Sequence, residues 1–185
     1  MELFILHALQ HIHGGMLDKI MLFITSLGNA GVIWFLVSFL LIIIPAVGKE
    51  SKEHLKEWRI AGIILIVSIV FEFICVNIFI KNIVNRPRPF LSDESLIPLI
   101  RPGESSFPSG HAASSFAAAT SLFLYRKKAG LPAYLLAGAI AFSRLYIGVH
   151  YPTDVLAGMV IGIVCGVVVN QLVKRKSNKE QYVKM

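Results

Sequence analysis

A short run, Phe107-Pro108-Ser109-Gly110-His111, stands where a polar stretch, residues 91–106, gives way to a small, apolar one, residues 112–125. Serine is a preferred N-cap and proline is tolerated beside a first helical turn, so a helix is expected to start here. Free N–H groups at such a start form an anion site. Gly110 leaves room for close approach, and His111 adds a group that moves protons near neutral pH. Upstream, Lys81 is followed seven residues later by Arg88-Pro89, and the flanking Pro87 and Pro89 predict an extended Arg88. Downstream, Ser143-Arg144 is followed after five residues by His150 and after three more by Asp154. Lysine offers phosphate a point charge and arginine a planar fork. His150 and Asp154 are four residues apart. That spacing predicts a carboxylate one turn from the imidazole, able to accept Nδ1–H, fix the tautomer and leave Nε2 as a nucleophile. The plainer readings are cations snorkelling at helix ends and an aspartate offsetting a helix dipole.

These residues need apolar elements to hold them. The 185 residues are 55% hydrophobic and 16% charged, with a mean hydropathy of +0.68. An ordinary soluble domain has about 45–50% apolar and about 25% charged residues. Five apolar stretches can span a bilayer, residues 31–47, 60–80, 109–125, 131–149 and 153–173. Helices are the expected choice, because an open sheet leaves backbone groups unsatisfied in lipid. The fold class is therefore all-α, a polytopic membrane bundle of about five to six helices. Residues 1–29 fall short of a span and read as an interfacial amphipathic segment, in which His7, His11 and His13 are expected at the interface rather than on a metal. Residues 30–174 form the membrane domain and residues 175–185 a basic cytoplasmic tail. The first apolar stretch, residues 3–9, is short and lacks a basic leader, so no cleavable signal is expected.

The net charge of +7 reads as a topology signal, not as evidence for nucleic acid. Lys49, Lys52, Lys56 and Arg59 fall between spans one and two. Arg126, Lys127 and Lys128 fall between three and four. Lys174, Arg175, Lys176, Lys179 and Lys184 follow span five. With alternating spans all three clusters lie on one side, cytoplasmic by the positive-inside rule, and the chemical residues lie outside. Gly158, Gly162 and Gly166, every fourth residue, and the alanines at 112, 113 and 117–119 predict close helix packing. Cys75 and Cys165 read as reduced apolar residues. Glu72 sits inside span two near Asn77; it reads either as a protonated carboxyl bonded between helices or as part of a substrate pocket. Arg86 and Arg101 read as headgroup or surface contacts.

Lys81-x6-Arg88-Pro89, Pro108-Ser109-Gly110-His111 and Ser143-Arg144-x5-His150-x3-Asp154 together resemble the signature of the type 2 phosphatidic acid phosphatase (PAP2) superfamily, K-x6-RP, PSGH and SR-x5-H-x3-D. The spacing is unbroken, and the resemblance covers roughly residues 59–174. It implies an integral membrane lipid phosphatase that needs no metal and no cofactor, with lipid phosphate and membrane lipids as its partners. It implies that His150 forms a phosphohistidine. His111 would protonate the leaving oxygen and later activate water, while Lys81, Arg88, Ser109, Gly110 and Arg144 bind phosphate. Small bacterial members of this type act on undecaprenyl diphosphate, phosphatidylglycerophosphate, phosphatidate or lipid A phosphates. An outward-facing site favours undecaprenyl diphosphate. A non-enzymatic anion channel or transporter is the alternative from another class, and complete His111, His150 and Asp154 argue against it.

Overall fold

Helix packing organises the chain around one central helix. The structure, a computed structural model, describes residues 1–47 and 51–183, and the side chains of these except 44–47, 52 and 176–183. In order come α1 (Glu2–Gln10), α2 (Gly15–Leu27), a 3-10 turn (Asn29–Gly31), α3 (Val32–Val47), α4 (Lys52–Phe73), a π-helical stretch (Ile74–Ile80), α5 (Lys81–Val84), α6 (Pro89–Ser92), α7 (Gly110–Tyr125), α8 (Lys127–Tyr146) and α9 (Pro152–Val183). Among the described residues there is no strand, as expected for an all-α chain. Lys49 and Lys184, counted among the basic clusters, lie outside the described residues.

The central helix is α7, and its sequence explains why. Ser109 caps it, its hydroxyl accepting from Ala112 N–H, and every residue from Ala112 to Leu122 is buried. Alanine and serine faces let α4, α8 and α9 approach closely. A side-chain carbon added at Gly158, Gly162 or Gly166 would collide with the main-chain oxygen of Ser109, Ala113 or Ala117, so the glycine face of α9 rests on the α7 backbone. Three polar side chains of α7 are matched across the interfaces: Trp34 Nε1 donates to Ser115 (3.0 Å), Ser121 to Ser68 (2.7 Å), and Thr120 shares a hydrogen bond with Tyr134 (2.7 Å).

This burial bears on the span count. Among the described residues, Glu53–Ser92 and Pro152–Arg175 are long and apolar enough to cross a membrane. Gly15–Leu27 and Asn29–Ile43, bent by 50° at their junction, make a third as a pair. The 16-residue α7 is shielded by protein rather than lipid and has no need of an apolar surface, and α8 carries lysines at its start and Arg144 near its end. At one end of the bundle Arg126 reaches Glu57 (3.3 Å) and stacks 3.9 Å over Trp58, bringing the connections around residues 57 and 126 together. The other end gathers the π-helical stretch, the starts of α7 and α9 and the end of α8.

Candidate active site

At that second end lies a cavity of roughly 530 Å³. Six of the eight residues expected from the motifs line it: Lys81, Arg88, Gly110, His111, Arg144 and His150. Asp154 stands behind His150, fully buried, and Ser109 lies beneath the α7 start, also fully buried. A different wall is apolar, formed by Phe35, Ile69, Val70 and Phe73, of which Phe35, Val70 and Phe73 are exposed to the bundle's outer surface.

Local geometry explains how each group arrives. Lys81 follows the π-helical stretch. In a regular α-helix, Lys81 would sit about 180° from Glu72. The wider turns bring Glu72, Asn77 and Lys81 to the same cavity. Arg88 is extended between its two prolines, as expected, with ψ 156°. Its Nε donates to the Glu104 carbonyl (2.7 Å) and its Nη1 to the Val149 carbonyl (2.8 Å), which fixes the guanidinium in a buried position. Arg144 donates to Thr25 Oγ1 (2.7 Å), while its Nε has no partner. A side-chain carbon at Gly110 would point toward Asn77 and the Lys81 ammonium, so glycine keeps that approach open.

The two histidines differ in their support. His111 Nε2 lies 2.9 Å from Asn29 Oδ1, and Gly28 makes this possible, since any side chain there would strike the His111 ring. His150 Nε2 lies 3.4 Å from Arg88 Nη1. A guanidinium only donates, so this approach places the imidazole lone pair at Nε2 and its proton at Nδ1. His150 Nδ1 faces Asp154 Oδ2 at 3.7 Å, an ion-pair distance longer than a hydrogen bond. Burial, seconded by Arg144 and Arg88 and opposed by Asp154, pulls the His150 imidazole down to about 4. It is therefore neutral at neutral pH. Glu104 Oε2 sits 2.8 Å from Lys81 Nζ, and that hydrogen bond holds the Glu104 carboxyl below its usual range.

A family model described as the PAP2 superfamily matches residues 61–178. The chain belongs to the PAP2 superfamily. It is a hydrolase of the PAP2 phosphatase type, acting on phosphate esters. Undecaprenyl-diphosphatase BcrC of Bacillus subtilis is 30% identical over 163 residues, covering 87% of this chain and 77% of that protein. The solved Aquifex aeolicus LpxE superposes with a TM-score of 0.71 at 31% identity, covering 92% of this chain and 94% of that one. The transmembrane PAP2-type phosphatidylglycerolphosphate phosphatase from Bacillus subtilis superposes with a TM-score of 0.73 at 22% identity, covering 92% and 83%, and shares the fold. The chain is a membrane protein by this kinship and by its apolar helices.

The PAP2 motifs leave out several residues at the site. Thr25 and Asn29, from the segment read as interfacial, touch Arg144 and His111. Glu104 holds Lys81. Arg86, read from sequence as a headgroup or surface contact, instead pairs with Asp154 Oδ1 (2.6 Å) and Glu2 Oε2 (2.9 Å). His7 pairs with Asp93 (3.0 Å), and His13 meets the Tyr146 carbonyl (2.6 Å), so two of the N-terminal histidines tie α1 and its exit to the rest of the chain. Nothing in the spacing of Glu2, Thr25, Asn29 or Glu104 to the motifs gave them a partner.

Proposed function

We propose that this protein is a multi-pass membrane lipid phosphatase that works on the outer face and hydrolyses undecaprenyl diphosphate through a phosphohistidine. The observation that carries the reading is the cavity itself. Lys81, Arg88 and Arg144 line it together with His111 and His150, beside an apolar wall that opens toward the bundle's surface. Three cations beside two histidines suit a phosphoryl group, and the apolar wall suits a chain.

In this mechanism Lys81, Arg88 and Arg144 hold the equatorial phosphoryl oxygens, with the Ser109 hydroxyl and the Gly110 N–H assisting from the α7 start. His150 Nε2 attacks the terminal phosphorus and forms a P–N bond as the P–O bond to the lipid monophosphate breaks. His111 gives its proton to that leaving oxygen. Water then attacks the phosphorus, His111 takes its proton, and the P–N bond breaks to release inorganic phosphate. Asp154 stabilises the positive charge that grows on His150. Charge neutralisation comes from the three cations, without a metal.

The reading includes five spans, namely α3, α4 with its continuation to Val84, α7, α8 and α9. Residues 1–29 form an interfacial segment and residues 175–185 a basic tail. The basic connections face the cytoplasm, and the cavity faces outward. Kinship to an undecaprenyl-diphosphatase over most of the chain supports the substrate. The test is phosphate release by purified protein in detergent from undecaprenyl diphosphate, phosphatidylglycerophosphate, phosphatidate and lipid A. The highest kcat/KM is expected for undecaprenyl diphosphate. A preference for another lipid would move the substrate, and release from none would end the enzymatic reading.

A further inference from the structure

Asp154 is fully buried, and its two oxygens have different neighbours. Oδ2 accepts from the Ser106 hydroxyl (2.6 Å) and the Tyr151 N–H (2.9 Å), and it faces His150 Nδ1. Oδ1 accepts from Arg86 Nη1 at 2.6 Å. Arg86 Nη1 also donates to Thr153 Oγ1 (2.8 Å), and its guanidinium lies 3.8 Å over the Tyr151 ring. Its carbonyl accepts from Ser106 N–H (2.9 Å), so one residue anchors both sides of the aspartate. Behind it, Glu2 Oε2 takes Arg86 Nη2 (2.9 Å), while Glu2 Oε1 accepts from the Thr153 hydroxyl (2.6 Å) and N–H (3.0 Å). Leu3 and Leu6 of α1 pack with Phe90, Leu96 and Tyr151, which fixes Glu2 in place. Arg86 is not among the residues lining the cavity.

We propose that Arg86, steadied by Glu2 of α1, is a positioning residue for the Asp154–His150 pair. The inference rests on the reading of His150 as nucleophile. With Oδ1 held by Arg86 and Oδ2 by Ser106 and Tyr151, the carboxylate stays fixed with Oδ2 toward His150 Nδ1, and the imidazole closes the last distance as positive charge develops on the ring. An arginine stacked on Tyr151, with one nitrogen on Asp154 and the other on Glu2, holds Oδ1 from a fixed direction in a way that a lysine cannot. The segment outside the PAP2 match thus supplies part of the catalytic geometry.

The test is a double-mutant cycle on the purified full chain, with phosphate release from undecaprenyl diphosphate and phosphatidylglycerophosphate as readouts. Arg86→Ala is expected to lower kcat by about 10- to 100-fold with KM changed less than about threefold, because the lost interaction strengthens only in the transition state. Arg86→Lys is expected to fall between. In an Asp154→Asn background, Arg86→Ala is expected to cost less than about threefold, since groups acting through one another are not additive. Additive losses, or a raised KM with normal kcat, would overturn the inference and make Arg86 a structural or substrate contact. Should Arg86→Ala not fold, Glu2→Gln reads the same relay: a loss of a fewfold that vanishes with Asp154→Asn supports it, and full activity overturns it. Wild type that turns over none of undecaprenyl diphosphate, phosphatidylglycerophosphate, phosphatidate and lipid A removes the nucleophile reading and this inference together. A slow Asp154→Asn beside a normal Arg86→Ala removes this inference alone.

Discussion

Substituting Glu104 by glutamine should tighten substrate binding and leave the chemical step alone. The Glu104 carboxylate sits 2.8 Å from Lys81 Nζ, where the proposed mechanism places a phosphoryl oxygen. In that mechanism an incoming anion would displace it before reaction. Glutamine keeps the size, and the Arg88 Nε bond goes to the Glu104 main-chain carbonyl, so that anchor survives. The side chain of Glu104 is 73% exposed against 10% for Lys81, so water screens the pair heavily. A pair of this kind is worth about 0.2–1 kcal/mol. Each 1.4 kcal/mol is about tenfold, so KM should fall by about 1.4- to 5-fold. Because Glu104 is displaced in both the bound and the transition state, kcat should not change. Lys81 holds the carboxyl below its usual range, and a depressed carboxylate keeps its pairing above its unfolded value and loses it as pH falls through the folded one. The effect should thus persist through neutral and mildly acidic pH. It should shrink at about 1 M salt, where screening is strong. The assay is initial rate against lipid mole fraction in mixed micelles, with vanadate inhibition as a second measure of anion affinity. A raised KM, or a tenfold fall in kcat, would refute the reasoning and make Glu104 the organiser of Lys81 rather than its competitor.

Three further outcomes are expected. His150→Ala should abolish turnover and Asp154→Asn should lower it by up to about 10⁴-fold, as when an orienting carboxylate is removed elsewhere. A near-normal rate in folded His150→Ala would sink the mechanism. The same histidine sets an acid limit. Its folded value of about 4 lies below the ordinary unfolded value of about 6.5, so activity is expected to hold as pH falls toward about 4 and to drop below it, while the stability it contributes, full above about 6.5, is lost between the two. Rates and melting temperatures measured from neutral pH to about one unit below the folded value check both. Activity should survive EDTA and be inhibited by vanadate; rescue of an EDTA-killed enzyme by one divalent ion would overturn the metal-free mechanism. In a background lacking Cys75 and Cys165, Ser95→Cys should label with an impermeant thiol reagent on intact cells and Ser51→Cys only after lysis. The reverse pattern would turn the cavity toward the cytoplasm.

The parts of the site that were legible in the sequence share one property: a local rule ties each residue to its neighbours. Prolines around Arg88 fix its backbone, Ser109 caps the helix that follows it, and a four-residue spacing sets Asp154 beside His150. The glycines at 158, 162 and 166 are of the same kind, because their fourfold period shows a face before its partner is known, and that face meets the α7 backbone. The π-helical stretch was not legible. Ile74–Ile80 is apolar like the helix before it, and nothing in its residues distinguishes wider turns from ordinary ones, yet those turns bring Lys81 to the cavity. Nor were Glu2, Thr25 and Asn29, whose roles depend on where residues 1–29 dock. Their partners, Arg86, Arg144 and His111, lie 84, 119 and 82 residues away. Length and apolarity alone single out two helices among the described residues, or three with the bent pair, for a related reason. Counting apolar stretches assumes that each helix meets lipid, but α7 meets other helices, and its Ser115, Thr120 and Ser121 share hydrogen bonds with them. A central helix freed from lipid can spend its polar positions on packing and its N-terminus on chemistry. The PSGH block therefore stands at the start of the most buried helix, where in the proposed mechanism a phosphoryl charge would be met by fixed dipoles and cations.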